Sequence, residues 1–500
     1  MKINLVSFNP LAADVLANTQ QVLDLLRAPA PKADLLVLPE AALCGCPLFD
    51  LFDSKQLVAQ NLDALKILAK ETKETALLVG YIDKQNKQSA TAAAFIYKGK
   101  ITKIWDTELI SFKGRTLQIV LGSPDENAAD SEADCVIFLH TTPYAKGNIA
   151  TRLKSLEKFS KKYGVKTALC NLLGGGDGLI FDGLTAFTDE KGRLCELGTL
   201  FTEQVLTVDL AQLSAPITYD KPVAQELLDA LCFGLRDYVT KSGYKNVIFG
   251  VSGGIDSAFT AYLAARALGG ESVYGVSLPS YCTSDLSKTL AGQLACSLGI
   301  NLEEVGVVPA LHSVKEALSH LFSHAQDATD QALQARLRVT ILSALANEYK
   351  ALLISTDDKS ESSVGPSVPY TEAGGLLKPL GDLYKSEIYE LVEYINQTEK
   401  VIPAGIVKRA PTSELKPNQT DADNLPPYSV LDKILQVYWQ ENLTTAEIAK
   451  KCRVAEKLVR EVLQRVSSAD FLRRQSAPSL QVSAAPLANF TRPIVKKQNF

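Results

Sequence analysis

Val247-Ile248-Phe249-Gly250-Val251-Ser252-Gly253-Gly254-Ile255-Asp256-Ser257-Ala258-Phe259-Thr260-Ala261-Tyr262-Leu263 decides the fold. A short apolar run enters a Gly-Gly turn, and Ala258 onward reads as helix. Strand, turn and helix N-terminus in that order aim backbone N–H groups and a positive dipole end at an anion. Ser252 and Ser257 add hydroxyl donors, and Asp256 adds a carboxylate suited to magnesium. A surface glycine turn is the plainer reading of so short a motif. No Lys-Ser/Thr pair closes the loop, so it is not a Walker A sequence.

Outward from this turn, the chain from Val223 to about residue 400 runs in a βαβ rhythm, which predicts a parallel sheet wrapped by helices. Ser355-Thr356-Asp357-Asp358-Lys359-Ser360-Glu361 follows the apolar run Ala351-Leu352-Leu353-Ile354 and is expected at a strand's C-terminal end. Ligands of open α/β sheets bind at that edge. Its acidic residues are candidates to join Asp256 around magnesium, against the reading of a solvated charge run. Lys378-Pro379-Leu380-Gly381-Asp382 and Lys385 follow, with Lys385 suited to a phosphate. Residues 403–427 are polar and Pro-rich, as in an active-site loop. Helical periodicity returns over 428–472, and the tail to Phe500 is expected to lie across a surface.

Residues 1–212 have a different rhythm. Strands are predicted at 3–8, 35–38, 76–82, 93–97, 117–121, 135–139, 167–170 and 205–208, with helices at 11–26, 57–70 and 150–163. Pro216 and Pro222 break both periods, which places a linker at 213–222 between domains 1–212 and 223–500. With 500 residues, 46% of them hydrophobic, the chain has ample material for more than one core. Its net charge of −4 offers no global basic field to nucleic acid or an anionic membrane. Nine cysteines are scattered without CxxC pairs, which fits a reducing cytosol better than a disulfide framework. Neither a leader nor a membrane span is apparent, so a cytoplasmic protein is expected.

The Ser252-Gly253-Gly254-Ile255-Asp256-Ser257 turn resembles the pyrophosphate loop of the ATP pyrophosphatase superfamily. Leu333-Gln334-Ala335-Arg336-Leu337-Arg338, Lys359-Ser360-Glu361, 379–385, Pro411-Thr412-Ser413-Glu414-Leu415 and Asp421-Ala422-Asp423-Asn424-Leu425-Pro426-Pro427-Tyr428 then occur in the order of NAD synthetases. Arg473-Arg474-Gln475-Ser476-Ala477-Pro478 resembles the tail of the long, glutamine-dependent form. The resemblance implies an α/β chain: an N-terminal nitrilase-like α-β-β-α sandwich and a C-terminal Rossmann-like parallel sheet of the ATP pyrophosphatase type. It implies a ligase in which the nicotinate carboxylate of deamido-NAD attacks the α-phosphate of ATP, after which ammonia displaces AMP. By the same resemblance, residues 252–257 hold pyrophosphate, Thr356 meets ATP, and Asp256 and Glu361 share Mg2+. Arg336, Glu361, Glu372, Lys385 and Thr412 fall at positions for deamido-NAD or nucleotide. A homo-oligomer is also implied. Ala332, Asp358, Glu372, Pro366 and Leu472 depart from the family's residues, and Leu472 stands where a lysine helps to hold deamido-NAD.

The N-terminal half resembles the amidase that feeds ammonia to long NAD synthetases, through Leu38-Pro39-Glu40-Ala41-Ala42-Leu43-Cys44-Gly45-Cys46-Pro47, Asn171-Leu172-Leu173-Gly174-Gly175-Gly176-Asp177 and Phe181-Asp182-Gly183. Such an amidase needs a cysteine nucleophile, a glutamate base and a lysine beside the oxyanion. Glu40 is present. Asp106 stands at the lysine position and Gly122 at the cysteine position, and the stretch between them is much shorter than the family's. The expectation is an inactive amidase, with ammonia taken from solution or from a separate glutaminase. A relocated nucleophile at Cys46 or Cys135, a regulatory pseudoenzyme, and a related ATP pyrophosphatase acting on another acid are the competing readings. The basic helical pair around Lys450, Lys451, Lys457 and Arg460 admits a DNA-binding helix-turn-helix, but structural packing suits the acidic chain better.

Overall fold

Val247, Ile248 and Phe249 are fully buried, as a strand covered on both faces requires. The computed structural model describes residues 1–28, 32–321, 328–365, 371, 375–410, 412, 414–416 and 425–495. The chain divides into two compact units, Met1–Glu226 and Leu227–Phe500.

In the second unit the strands Asn301–Glu304, Val273–Ser277, Asn246–Gly250 and Ala351–Leu353 lie side by side in that order, all parallel. The turn after Asn246–Gly250 leads into the helix Ile255–Leu268, whose residues from Ile255 to Ala264 are buried except Asp256. Gly253 takes φ +74°, and a Cβ there would sit 2.5 Å from the carbonyl oxygen of Ser287. Only glycine fits this corner. Ile354 bridges to Leu377, so the chain leaving Ala351–Leu353 is paired at once with the segment leading to Lys385.

The first unit holds two six-stranded mixed sheets. One runs Gln204–Asp209, Lys2–Ser7, Leu35–Val37, Ala76–Gln85, Gln88–Tyr97, Lys100–Ile104, and the other Leu194–Leu197, Thr185–Thr188, Lys166–Asn171, Cys135–His140, Arg115–Leu121, Thr107–Phe112. Leu5, Val37 and Leu78 of the first sheet share a core with Ile119, Ile137 and Phe187 of the second. The helices Val15–Arg27 and Lys55–Glu71 cover the outer face of the first sheet, and Asn148–Tyr163 covers the second. This is the expected α-β-β-α sandwich.

The helices Thr445–Cys452 and Glu456–Ser468 bury Ile448, Val459, Val462, Leu463 and Val466 in one cluster with Leu431, Ile434 and Trp439. Three of the basic residues around that pair are tied to acids, Lys451 to Glu441, Lys457 to Glu461 and Arg460 to Glu456. The tail differs from the expectation. Leu480 and Val482 are buried, because Asp382 accepts the backbone N–H groups of Val482 and Ser483 and draws the segment into the core. Among the described residues no helix is long and apolar enough to cross a membrane.

Candidate active site

The helix Lys359–Val364 begins on a capping box: Asp358 Oδ1 accepts from the Glu361 N–H at 2.8 Å, and Glu361 Oε2 accepts from the Asp358 N–H at 3.3 Å. That box fixes two carboxylates side by side. Opposite them Lys385 opens the helix Lys385–Thr398, its N–H donated to the Ser360 hydroxyl at 2.9 Å. Lys385 Nζ, with its side chain fully buried, reaches Asp256 Oδ2 at 2.6 Å, Asp358 Oδ2 at 2.9 Å and Glu361 Oε1 at 2.9 Å. One ammonium therefore joins the Gly-rich turn to the strand-end acids, which are far apart in sequence.

Charge is in excess on the acidic side. Burial opposes the charge of Lys385, yet Asp256, Asp358 and Glu361 together hold it well above the ordinary lysine range. Burial, less the pull of Lys385, raises Asp256 to about 6, and it raises Asp358 and Asp357 as well. Asp256 Oδ1 and Asp357 Oδ2 have no hydrogen-bond partner among the described residues. Orphaned carboxylate oxygens in such a place suit a cation. No three His, Cys, Asp or Glu side chains among the described residues make a metal cage of their own. Magnesium needs only one or two carboxylates together with phosphate oxygens, so Asp256 and Glu361 fit it.

The turn is braced from within. Ser252 Oγ and Ser257 Oγ lie 3.2 Å apart, the Gly254 N–H donates to Ser252 Oγ at 3.2 Å, and Ser257 Oγ donates to the Gly254 carbonyl at 3.0 Å. Behind it Ser287, whose backbone touches Gly253, donates its hydroxyl to Glu414, which Arg409 also holds at 2.5 Å. In the sequence Glu414 stood within the 411–415 motif and Arg409 within the polar, Pro-rich stretch 403–427, but their meeting with Ser287 was not legible. Thr356 is half-buried just past the strand Ala351–Leu353. Arg336 lies half-buried on the helix Ala328–Glu348, and Thr412 accepts from the Glu414 N–H at 3.2 Å. Neither joins the Lys385 ion pairs. Glu372 and Pro366 fall outside the described residues. Leu472 is buried and lines a cavity of about 600 Å³ with Val364, Gly365 and Phe471.

In the first unit, Glu40 follows the strand Leu35–Val37, its backbone pressed so close to Gly80 that a Cβ there would lie 1.7 Å from the Glu40 carbonyl oxygen. Burial raises the Glu40 carboxyl, while Thr91 and Thr141 pull it down. Asp106 is exposed. Gly122 ends the strand Arg115–Leu121 at φ +125°, and its carbonyl accepts from His140 Nε2 at 2.6 Å. Among the described neighbours a Cβ at Gly122 would meet only Asn127 Nδ2, at 3.6 Å. Asp182 is fully buried between Arg152 and Asn171.

Residues 227–476 match the family model described as NAD synthase. The chain is 32% identical to the glutamine-dependent NAD(+) synthetase of Xanthomonas campestris pv. campestris over 97% of its own length and 95% of that protein. The chain belongs to the glutamine-dependent NAD(+) synthetase family. It is also 31% identical to the Thermotoga maritima member, over 97% of the chain and 96% of that protein. The Acinetobacter baumannii glutamine-dependent NAD+ synthetase, solved with ADP, superposes with a TM-score of 0.76 at 27% identity, covering 99% of this chain and 98% of that one. The Cytophaga hutchinsonii enzyme shares the fold with a TM-score of 0.88 at 18% identity, over 99% and 98% of the two chains. The chain is thus an NAD synthetase, a ligase forming a C–N bond, with the nitrilase-like sandwich and the parallel sheet of that family.

Proposed function

We propose that this NAD synthetase adenylates deamido-NAD with ATP and amidates it with ammonia directly, its own amidase site being inactive. Gly122 carries the second half of this reading. The strand end where the family's nucleophile belongs offers only a backbone carbonyl, already taken by His140. No other thiol in the first unit is primed to replace it. Burial pushes Cys46 up to about 11 and Cys135 and Cys170 to about 12, and it raises Cys44 and Cys195 too. Glu40 raises Cys46 further, and the thiolate is the nucleophile. A relocated nucleophile is therefore not favoured.

In the synthetase unit, the backbone and hydroxyls of 252–257 receive the β- and γ-phosphates, and Thr356 lies against ATP. Asp256 and Glu361 would hold Mg2+, which would supply neutralisation of charge developing on the departing pyrophosphate. Arg336, Thr412 and Glu372 are assigned to deamido-NAD and nucleotide. Lys385 does not fit the ligand contact expected of it, because its buried ammonium is taken up by Asp256, Asp358 and Glu361; it orients the two metal-holding carboxylates instead. Most of the rate then comes from fixed charge at the transferring phosphate rather than from a side-chain base.

The test supplies ATP, magnesium and deamido-NAD with either ammonium or glutamine and measures NAD. NAD forms with ammonium and almost none with glutamine alone. Equal rates with glutamine overturn the inactive-amidase reading, and no NAD from either donor overturns the whole.

A further inference from the structure

Lys378 is 1% exposed, yet among the described residues no carboxylate lies within hydrogen-bond distance of its ammonium. Nζ donates to Ser362 Oγ at 2.7 Å and to Ser476 Oγ at 3.2 Å, and its ion-pair partner, Asp357 Oδ2, is 3.9 Å away. A buried charge with neutral partners and one long ion pair does not recover its desolvation cost. A methionine of similar length would fill the same space without that cost.

The surrounding chain nevertheless fixes the ammonium firmly. The tail brackets the backbone of Lys378: its N–H donates to the Pro478 carbonyl at 2.8 Å, and its carbonyl accepts from the Leu480 N–H at 3.2 Å. Ser476 of the same tail takes the side chain, and Ser362 comes from the helix that carries Glu361. Among the described residues, four carboxylates, Asp256, Asp357, Asp358 and Glu361, thus face two ammonium groups, Lys385 and Lys378. When all are ionised the set has the charge that one divalent cation cancels.

We propose that Lys378 is a positioning residue of the adenylation site, whose buried ammonium opposite Asp357 sets the charge of the carboxylate cluster so that one magnesium ion and the ATP phosphates are accommodated together. This rests on the assignment of Asp256 and Glu361 to magnesium. Without Lys378 the cluster is one charge more negative. It then draws Mg2+ more strongly and repels the phosphates of ATP.

The experiment measures binding of ATP and of Mg2+ by calorimetry with no deamido-NAD present, so that no turnover enters the readout. Lys378→Met should lower the Mg2+ concentration for half-saturation and raise the ATP dissociation constant, each by about tenfold, because removing one buried unit charge changes the attraction of a cation and of an anion in opposite senses. Lys378→Arg should keep wild-type values. Asp357→Asn alone should shift both constants the opposite way, and the double variant should return towards wild type. The Asp357→Asn arm is nearly isosteric and decides the matter even if Lys378→Met does not fold. Parallel weakening of both ligands in Lys378→Met, no shift in Asp357→Asn, or a double variant no better than Lys378→Met would overturn the proposal. If the wild-type protein binds no ATP with magnesium, the magnesium assignment itself fails. Normal wild-type binding with unshifted variants overturns the role of Lys378 alone.

Discussion

Lys385 Nζ lies 2.6 Å from Asp256 Oδ2, so the ammonium at the start of one helix clamps the carboxylate that opens another. The same nitrogen holds Asp358 and Glu361, and its side chain has no exposed surface. Lys385→Met leaves three carboxylates without their shared cation. Breaking a buried ion pair by removing one partner costs about 3–5 kcal/mol. Thermal denaturation should therefore show the variant melting well below the wild-type temperature.

Asp256→Ala should abolish pyrophosphate release, a loss of at least about a hundredfold on the scale of removing one preorganised charge-stabilising group. The check is a pyrophosphate assay with ATP, magnesium and deamido-NAD. Retention of more than a tenth of the wild-type rate would remove Asp256 from the proposed metal site.

Gly253→Ala tests the turn sterically. The added Cβ would face the Ser287 carbonyl at 2.5 Å in a residue held at φ +74°. The left-handed conformation alone costs a non-glycine residue about 1–2 kcal/mol. ATP should bind at least tenfold more weakly, by calorimetry, while the fold measured by circular dichroism persists.

His140 gives the first unit a pH dependence. Burial lowers it from 6.5 to about 4, although the Gly122 carbonyl pulls the other way. The unfolded chain takes up a proton at His140 near pH 6.5, and the folded chain does so only near 4. Stability is thus lost as pH falls from 6.5 towards 4, by an amount on the order of 3 kcal/mol. His140→Gln should flatten that part of the stability–pH curve in urea titrations. An unchanged slope would contradict the buried neutral imidazole.

Glu40→Ala should leave ammonium-driven NAD synthesis nearly unchanged, since the proposal gives Glu40 no part in it. A steady-state assay with ammonium as the sole donor decides this. A tenfold fall would tie the first unit to the synthetase reaction.

The 252–257 turn was legible because its signal is local: an apolar run, two glycines and a helical period adjoin one another. Asp358 was harder. In the sequence it stood out as a departure from the family's residue, whereas its spacing from Glu361 already carried a capping-box pattern. That Lys385 would meet both Asp256 and Glu361 was not legible, since contacts between distant segments leave no periodic trace. The strands Lys100–Ile104 and Thr107–Phe112 were missed for another reason. They are largely exposed, so no clean apolar alternation marks them. The buried tail residues Leu480 and Val482 were hidden by the prolines and serines around them, and Asp382 is what draws them inward.

Direct use of ammonia is decided by supplying the enzyme with ATP, magnesium, deamido-NAD, ¹⁵N-ammonium and unlabelled glutamine together and reading the carboxamide nitrogen of NAD by mass spectrometry. NAD should carry ¹⁵N throughout. NAD carrying mostly the unlabelled nitrogen of glutamine would contradict it.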